Sequence, residues 1–262
     1  MALTACTMWG ISGLFAKALF NLSTAITPMW VSQVRMIISG VILLLASAAL
    51  HLHPLRIWQK RPTAIAILAY GLVGLLPVQY CYFMTVQLGN ASIATILQFI
   101  GPFFILAYTS VFRHQRPRVT ELLAAVVAFC GVVILATHGQ LDQLAISGIV
   151  LFWGLLSAIG VATNTLIPQG LIQHFSSLVI TGWGLLISGV ALFLVHPQQP
   201  TLPHSSFVFW GMAAVIVIGT LIPFQLMTMS LKMVPASIVS LMDAAEPLSA
   251  TIGSVIVFHL IL

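Results

Sequence analysis

Residues 177–195 read Ser-Leu-Val-Ile-Thr-Gly-Trp-Gly-Leu-Leu-Ile-Ser-Gly-Val-Ala-Leu-Phe-Leu-Val. The stretch holds no charge and no proline. As a helix rising about 1.5 Å per residue it nearly crosses the roughly 30 Å hydrocarbon layer of a bilayer. Its apolar letters run continuously instead of alternating, which predicts a membrane helix and not a barrel strand. Its centre, Ile187-Ser188-Gly189-Val190, repeats Ile38-Ser39-Gly40-Val41 from a similar run near the N-terminus. One segment therefore sets both the environment and a duplicated plan.

The rest of the chain agrees. Of 262 residues, 60% are hydrophobic and 5% charged, against about 25% charged in a soluble domain. Too little polar surface exists for a water-soluble enzyme, a nucleic-acid binder or a secreted factor. The sequence pI near 9.5 reflects nine Lys and Arg against four acids, not a polyanion-binding surface. Apolar runs predict helices near 2–20, 28–50, 63–86, 92–112, 120–137, 145–167, 177–195, 207–231 and 237–262. The first run has no basic segment before it and no evident cleavage site after it, so it reads as a retained span. Cys6, Cys81 and Cys130 all fall in apolar runs and read as small buried hydrophobes.

Lys and Arg set the expected orientation. Arg56, Lys60 and Arg61, then Arg113, Arg116 and Arg118, then Lys232 fall in loops that share one side of a nine-span chain. The opposite loops, 21–27, 87–91, 138–144 and 196–206, hold neither residue. The basic side is cytoplasmic, which puts the N-terminus inside and the C-terminus outside.

Shifting the chain by about 145 residues superimposes it on itself. Trp9-Gly10 recurs as Trp153-Gly154, and Pro77-Val78-Gln79 as Pro223-Phe224-Gln225. Ala91-Ser92-Ile93 followed by Pro102 recurs as Ala236-Ser237-Ile238 followed by Pro247. The repeat unit holds five helices, so the second copy enters the membrane inverted, the plan of secondary transporters with a midplane site. We expect an all-α polytopic membrane protein with about nine transmembrane helices. Residues 1–140 form the first repeat and residues 141–262 the second, its tenth helix missing.

Several stretches resemble EamA-type carriers of the drug/metabolite transporter superfamily: Met8-Trp9-Gly10-Ile11-Ser12-Gly13, Gln87-Leu88-Gly89-Asn90-Ala91-Ser92, Ala136-Thr137-His138-Gly139, Leu151-Phe152-Trp153-Gly154 and, most closely, Ala244-Ala245-Glu246-Pro247-Leu248-Ser249. The resemblance covers nearly the whole chain. It implies ten helices in two inverted copies and movement of small metabolites, often export of amino acids or drug-like compounds. The absent tenth helix departs from that pattern.

Charges at bilayer depth cost about 2.5–3.5 kcal/mol each on insertion scales, so Lys17, Arg35, Asp243 and Glu246 each need a role or a partner. Asp243 and Glu246 stand at i, i+3 on one helix face, and Pro247 deprives the Asp243 carbonyl of its helical donor. Two carboxylates this close suit binding of a proton or a cationic group; neutralisation by Arg35 or Lys17 is the structural alternative. Lys17 reads as a residue that snorkels to the outer surface. Trp9, Gln79, Tyr82, Gln98, Trp153 and Asn164 supply aromatic and amide groups from symmetric spans, the chemistry of a substrate pocket. Pro77, Pro223, Pro102 and Pro247 are candidate hinges. Trp30, Trp58 and Trp210 fit an interfacial belt, while Gly154, Ala158 and Ala162 make a flat packing face.

Enzyme signals fail. Gly10-Ile11-Ser12-Gly13 has no His–base partner by spacing, and no Walker loop, HExxH or cysteine pair occurs. The His residues lie mostly in loops without ligand spacing, so neither a metal nor another cofactor is expected. The sequence predicts a non-enzymatic secondary carrier of the cell (inner) membrane. It would move a small amino-acid-like or drug-like molecule by alternating access, with a proton as candidate coupling ion. The lipid bilayer is its surroundings, nucleic acid is no partner, and nothing indicates a homo-oligomer. The alternative is a truncated, non-transporting component that assembles with another chain.

Overall fold

The computed structural model describes residues 1–23, 25–89, 91–114, 117–137, 146–197 and 205–258. The expected repeat boundary at 140/141, Arg116, His138 and the last four residues of the final span lie outside the described residues. The helices are α1 (Ala2–Leu22), α2 (Pro28–Ala49), α3 (Arg61–Leu88), α4 (Ala91–Gln98), α5 (Gly101–Phe112), α6 (Val119–Thr137), α7 (Gly148–Leu171), α8 (Ser177–Val195), α9 (Ser206–Ser230), α10 (Ala236–Leu241) and α11 (Ala245–Phe258). Hydroxyls start several of them. Thr27 Oγ1 accepts from Trp30 N at 3.2 Å ahead of Pro28, and Ser147, Ser176 and Ser205 cap α7, α8 and α9 in the same manner.

Among the described residues seven helices are long and apolar enough to cross a membrane, counting Ile93–Phe112 as one, and Val119–Ile134 is a shorter apolar helix. Nine continuous spans were expected. The two that fall short are 120–137, where Val119–Ile134 is the shorter apolar helix, and the last; prolines interrupt the last and the fourth. The last expected span is two pieces, α10 and α11, joined by a 3-10 turn at Met242–Ala244 just before Pro247. The fourth is likewise interrupted between α4 and α5, just before Pro102. Each proline removes the donor for the carbonyl four residues earlier and clashes with it.

Pro77 and Pro223 act differently. Each follows a π-helical segment, Tyr70–Leu75 in α3 and Val217–Leu221 in α9, so the helix continues with a widened turn. The carbonyl that Pro77 frees, Val73 O, accepts from Thr163 Oγ1 at 2.7 Å. The one that Pro223 frees, Gly219 O, accepts from Arg35 Nη1 at 3.3 Å. All four candidate hinges thus sit where a helix loses its regular ladder.

The duplicated sequences meet equivalent partners. α2 and α8 share the most extensive helix contact, and the two Ile-Ser-Gly-Val stretches form it. A Cβ on Gly40 would stand 2.7 Å from Leu186 N, and one on Gly189 would stand 2.9 Å from Ile37 N. Each Trp-Gly pair presses its glycine onto a broken helix. A Cβ on Gly10 would lie 2.6 Å from the Glu246 carbonyl oxygen in α11, and one on Gly154 would lie 2.7 Å from Leu97 Cβ in α4.

The largest buried apolar cluster, including Cys6, Ile67, Tyr70, Leu171, Val179 and Leu231, fills the half of the bundle nearer the basic loops. Trp210 is 69% exposed, as an interfacial residue should be. Trp30 departs from that expectation: it is buried with Leu19, Ile26, Val208 and Met212 in a second cluster. Trp58 packs edge-on against Trp183 at 5.1 Å.

Candidate functional site

The two helix breaks, and the helical turns that follow the two π segments (Val78, Gln79, Phe224 and Met227), line one cavity of about 580 Å³, within the size range of small-molecule sites. It runs from Phe224, Met227 and Asp243 at mid-depth to Phe20 and Pro28 at the end of the bundle whose loops carry no Lys or Arg. Trp9 and Phe224, edge to face at 5.0 Å, stand in its deeper wall.

Arg35, on α2, is held by oxygens of other helices. Its guanidinium donates to Gly219 O, to Thr220 Oγ1 at 3.4 Å and to Gln79 Oε1. Gln79 Oε1 also accepts from Ser32 Oγ at 3.3 Å. Each of these acceptors is neutral, so the positive charge is positioned without being cancelled. Glu246, on the first turn of α11, opens to the same cavity that Arg35 lines. Asp243 lies on the 3-10 turn, where its Oδ1 accepts from Cys6 Sγ at 3.4 Å. Among the described residues the cavity wall carries one cation and two carboxylates.

Amide and phenol groups frame these charges. Gln98 Nε2 donates to Ser157 Oγ at 2.8 Å and to Val78 O at 3.2 Å, tying α4 to α7 and α3. Tyr82 OH lies 3.3 Å from Thr95 Oγ1. Asn164 Oδ1 is buried with no hydrogen-bond partner among the described residues, on the cavity wall. A buried acceptor left open is costly unless a ligand or water meets it.

The cavity therefore gathers Glu246, Asp243, Arg35, Trp9, Gln79, Tyr82, Gln98, Asn164, Pro102 and Pro247. Trp153 is the exception and corrects the sequence reading. It packs on Tyr80 at 5.8 Å and stands outside the cavity. Val161, Asn164 and Thr165 are the α7 residues on the cavity wall. Lys17 lies on α1, and its side chain is outside the described residues. Sequence reasoning missed Gly219 and Thr220 as the holders of Arg35. The available signal was Pro223, whose position four residues on marks the Gly219 carbonyl as free.

A family model, the EamA-like transporter family, matches residues 1–137 and 148–261. The chain belongs to the EamA-like transporter family. It is a multi-pass membrane transporter by that membership and by its helices. This EamA-like chain is 30% identical over 255 residues to the uncharacterized inner membrane transporter YicL of Salmonella typhimurium, covering 97% of this chain and 85% of that one. It is 21% identical over 210 residues to an uncharacterized transporter of Archaeoglobus fulgidus, covering 78% of this chain and 67% of the other. A solved crystal structure superimposes with a TM-score of 0.83 at 17% identity, covering 100% of this chain and 88% of that chain, which shows a shared fold.

Proposed function

We propose that this protein is a secondary carrier of the inner membrane that moves small zwitterionic, amino-acid-like metabolites by alternating access. Its two inverted halves, nine spans when the interrupted ones are counted, rock about the central cavity. With the basic loops in the cytoplasm, the cavity belongs to the outward-facing state, closed below by the packed cytoplasmic half. A proton on Glu246 is the coupling ion of this reading, taken up or released as solute leaves or enters.

The observation that carries the reading is the presentation of Arg35 and Glu246 to one cavity whose wall also holds Trp9 and Tyr82. A guanidinium offers a carboxylate two parallel donors. A carboxylate beside aromatic faces receives an ammonium group. A zwitterion satisfies both without leaving net charge in the membrane.

Proteoliposomes pulsed with leucine, phenylalanine, putrescine, succinate and mannitol test this. Saturable flux is expected for the zwitterions alone. Saturable flux of putrescine unchanged in Arg35→Gln would replace the zwitterion by a drug-like cation that uses Glu246 only. No saturable flux of any of the five would remove the zwitterion assignment.

A further inference from the structure

A second concavity, of about 400 Å³, lies at the basic end of the bundle. Arg113, Gln169, Gln173, Leu231, Lys232 and Val234 contribute to its wall, which among the described residues holds two cations and no carboxylate. Arg113 Nη1 donates to Gln169 Oε1 at 2.8 Å, a neutral acceptor that orients the guanidinium and leaves its charge free. Its Cζ lies 5.9 Å from the Tyr108 ring centre. Of the four acids in the sequence, only Glu121 falls at this end.

The position of this pocket relative to the central cavity is the decisive point. On α9, Met227 lines the central cavity and Leu231 the basic pocket. On α7, Thr165 lines the first and Gln169 the second. Both separations are four residues, about one helical turn or 6 Å of rise. The partition is apolar: Ile105, Leu171, Met227, Leu231 and Val239 belong to one buried cluster. Cations at helix ends complement the carbonyl dipoles there, but that role needs no concavity aligned under the cavity.

We propose that the basic pocket is the cytoplasmic vestibule of the translocation path and an anion-selecting site, with Arg113 and Lys232 taking the carboxylate of the solute. The inference rests on the carrier reading above. In the inward-facing state the Met227–Leu231 partition opens, and solute passes between Arg35 and this pocket. The pair of cations raises the local concentration of anionic groups at the mouth.

Thiol chemistry tests it without a known substrate. Gln173→Cys and Met227→Cys are reacted with an anionic (sulfonatoethyl) and a cationic (trimethylammonioethyl) methanethiosulfonate, with the wild-type chain as blank. Right-side-out and everted membrane vesicles give the two faces. From the cytoplasmic face both cysteines should react, with an anion-to-cation rate ratio that falls at least tenfold in Arg113→Gln/Lys232→Gln, because each of the two charges favours the anionic reagent and opposes the cationic one. From the outer face Met227→Cys should react at a rate the two substitutions leave unchanged.

Absence of cytoplasmic reaction at Met227→Cys, or a reaction there that ignores Arg113 and Lys232, overturns the proposal. A third arm places Gln173→Cys in phosphatidylcholine nanodiscs with and without phosphatidylglycerol. Loss of reaction with the anionic lipid would assign the pocket to a lipid headgroup and overturn the solute path. If the labelling pattern holds while the solute panel is silent, the path stands and the zwitterion assignment falls.

Discussion

Arg35→Gln is expected to leave the protein folded and to weaken half-saturation by a zwitterionic solute about a hundredfold. The two effects separate because Arg35 does two things. It caps the Gly219 carbonyl left open by Pro223 and bonds Gln79, and it supplies a cation to the cavity. A glutamine amide still donates to a carbonyl but no longer presents positive charge. Truncating one member of a desolvated charge contact costs about 2–5 kcal/mol, and a hundredfold change corresponds to about 2.7 kcal/mol. Flux measured in proteoliposomes, beside a melting curve of the same protein in detergent, checks both. A melting curve that collapses in Arg35→Gln and recovers in Arg35→Gln/Glu246→Gln would make the pair a structural ion pair and remove Arg35 from the solute site.

Gly40→Val should be the most damaging single change to stability, at about 3 kcal/mol, the upper end for overpacking. The added Cβ would lie 2.7 Å from Leu186 N, 2.9 Å from Gly182 O and 3.0 Å from Leu186 Cα. These are backbone atoms of α8 and have no rotamer to yield, so the two helices must separate. Gly189→Val meets Ile37 N and Met36 Cβ from the other side and should cost about as much. Gly131→Val is the control, since nothing lies within 4 Å of its added Cβ. Thermal unfolding in detergent reads the difference. Equal melting temperatures for Gly40→Val and Gly131→Val would show that the α2–α8 crossing does not hold the bundle together.

Much of this fold is visible in the letters because a bilayer demands long apolar runs with satisfied backbones. The expected 28–50 appears as Pro28–Ala49 and 207–231 as Ser206–Ser230. The duplicated Ile-Ser-Gly-Val and Trp-Gly stretches point to close crossings because only glycine lets backbones approach that far. The breaks are less legible. A proline announces a missing donor, yet Pro77 and Pro223 follow π segments while Pro102 and Pro247 follow interruptions. That choice depends on what reaches the freed carbonyl, and Thr163 and Arg35 come from distant parts of the chain. Pairing charges with charges also misleads at Arg35, whose oxygen partners are a backbone carbonyl, a hydroxyl and an amide. Cys6, one hydrophobe among many by its context, donates to Asp243.

In the proposed cycle Glu246 exchanges a proton as solute crosses. The direct measurement is initial zwitterion flux in proteoliposomes under an imposed pH gradient and then its reverse, for wild type and Glu246→Gln. Glutamine keeps the shape and cannot release a proton. Wild-type flux should differ severalfold between the two gradients, and Glu246→Gln should carry the same flux in both. A mutant that still responds to the gradient as the wild type does would contradict proton coupling through Glu246.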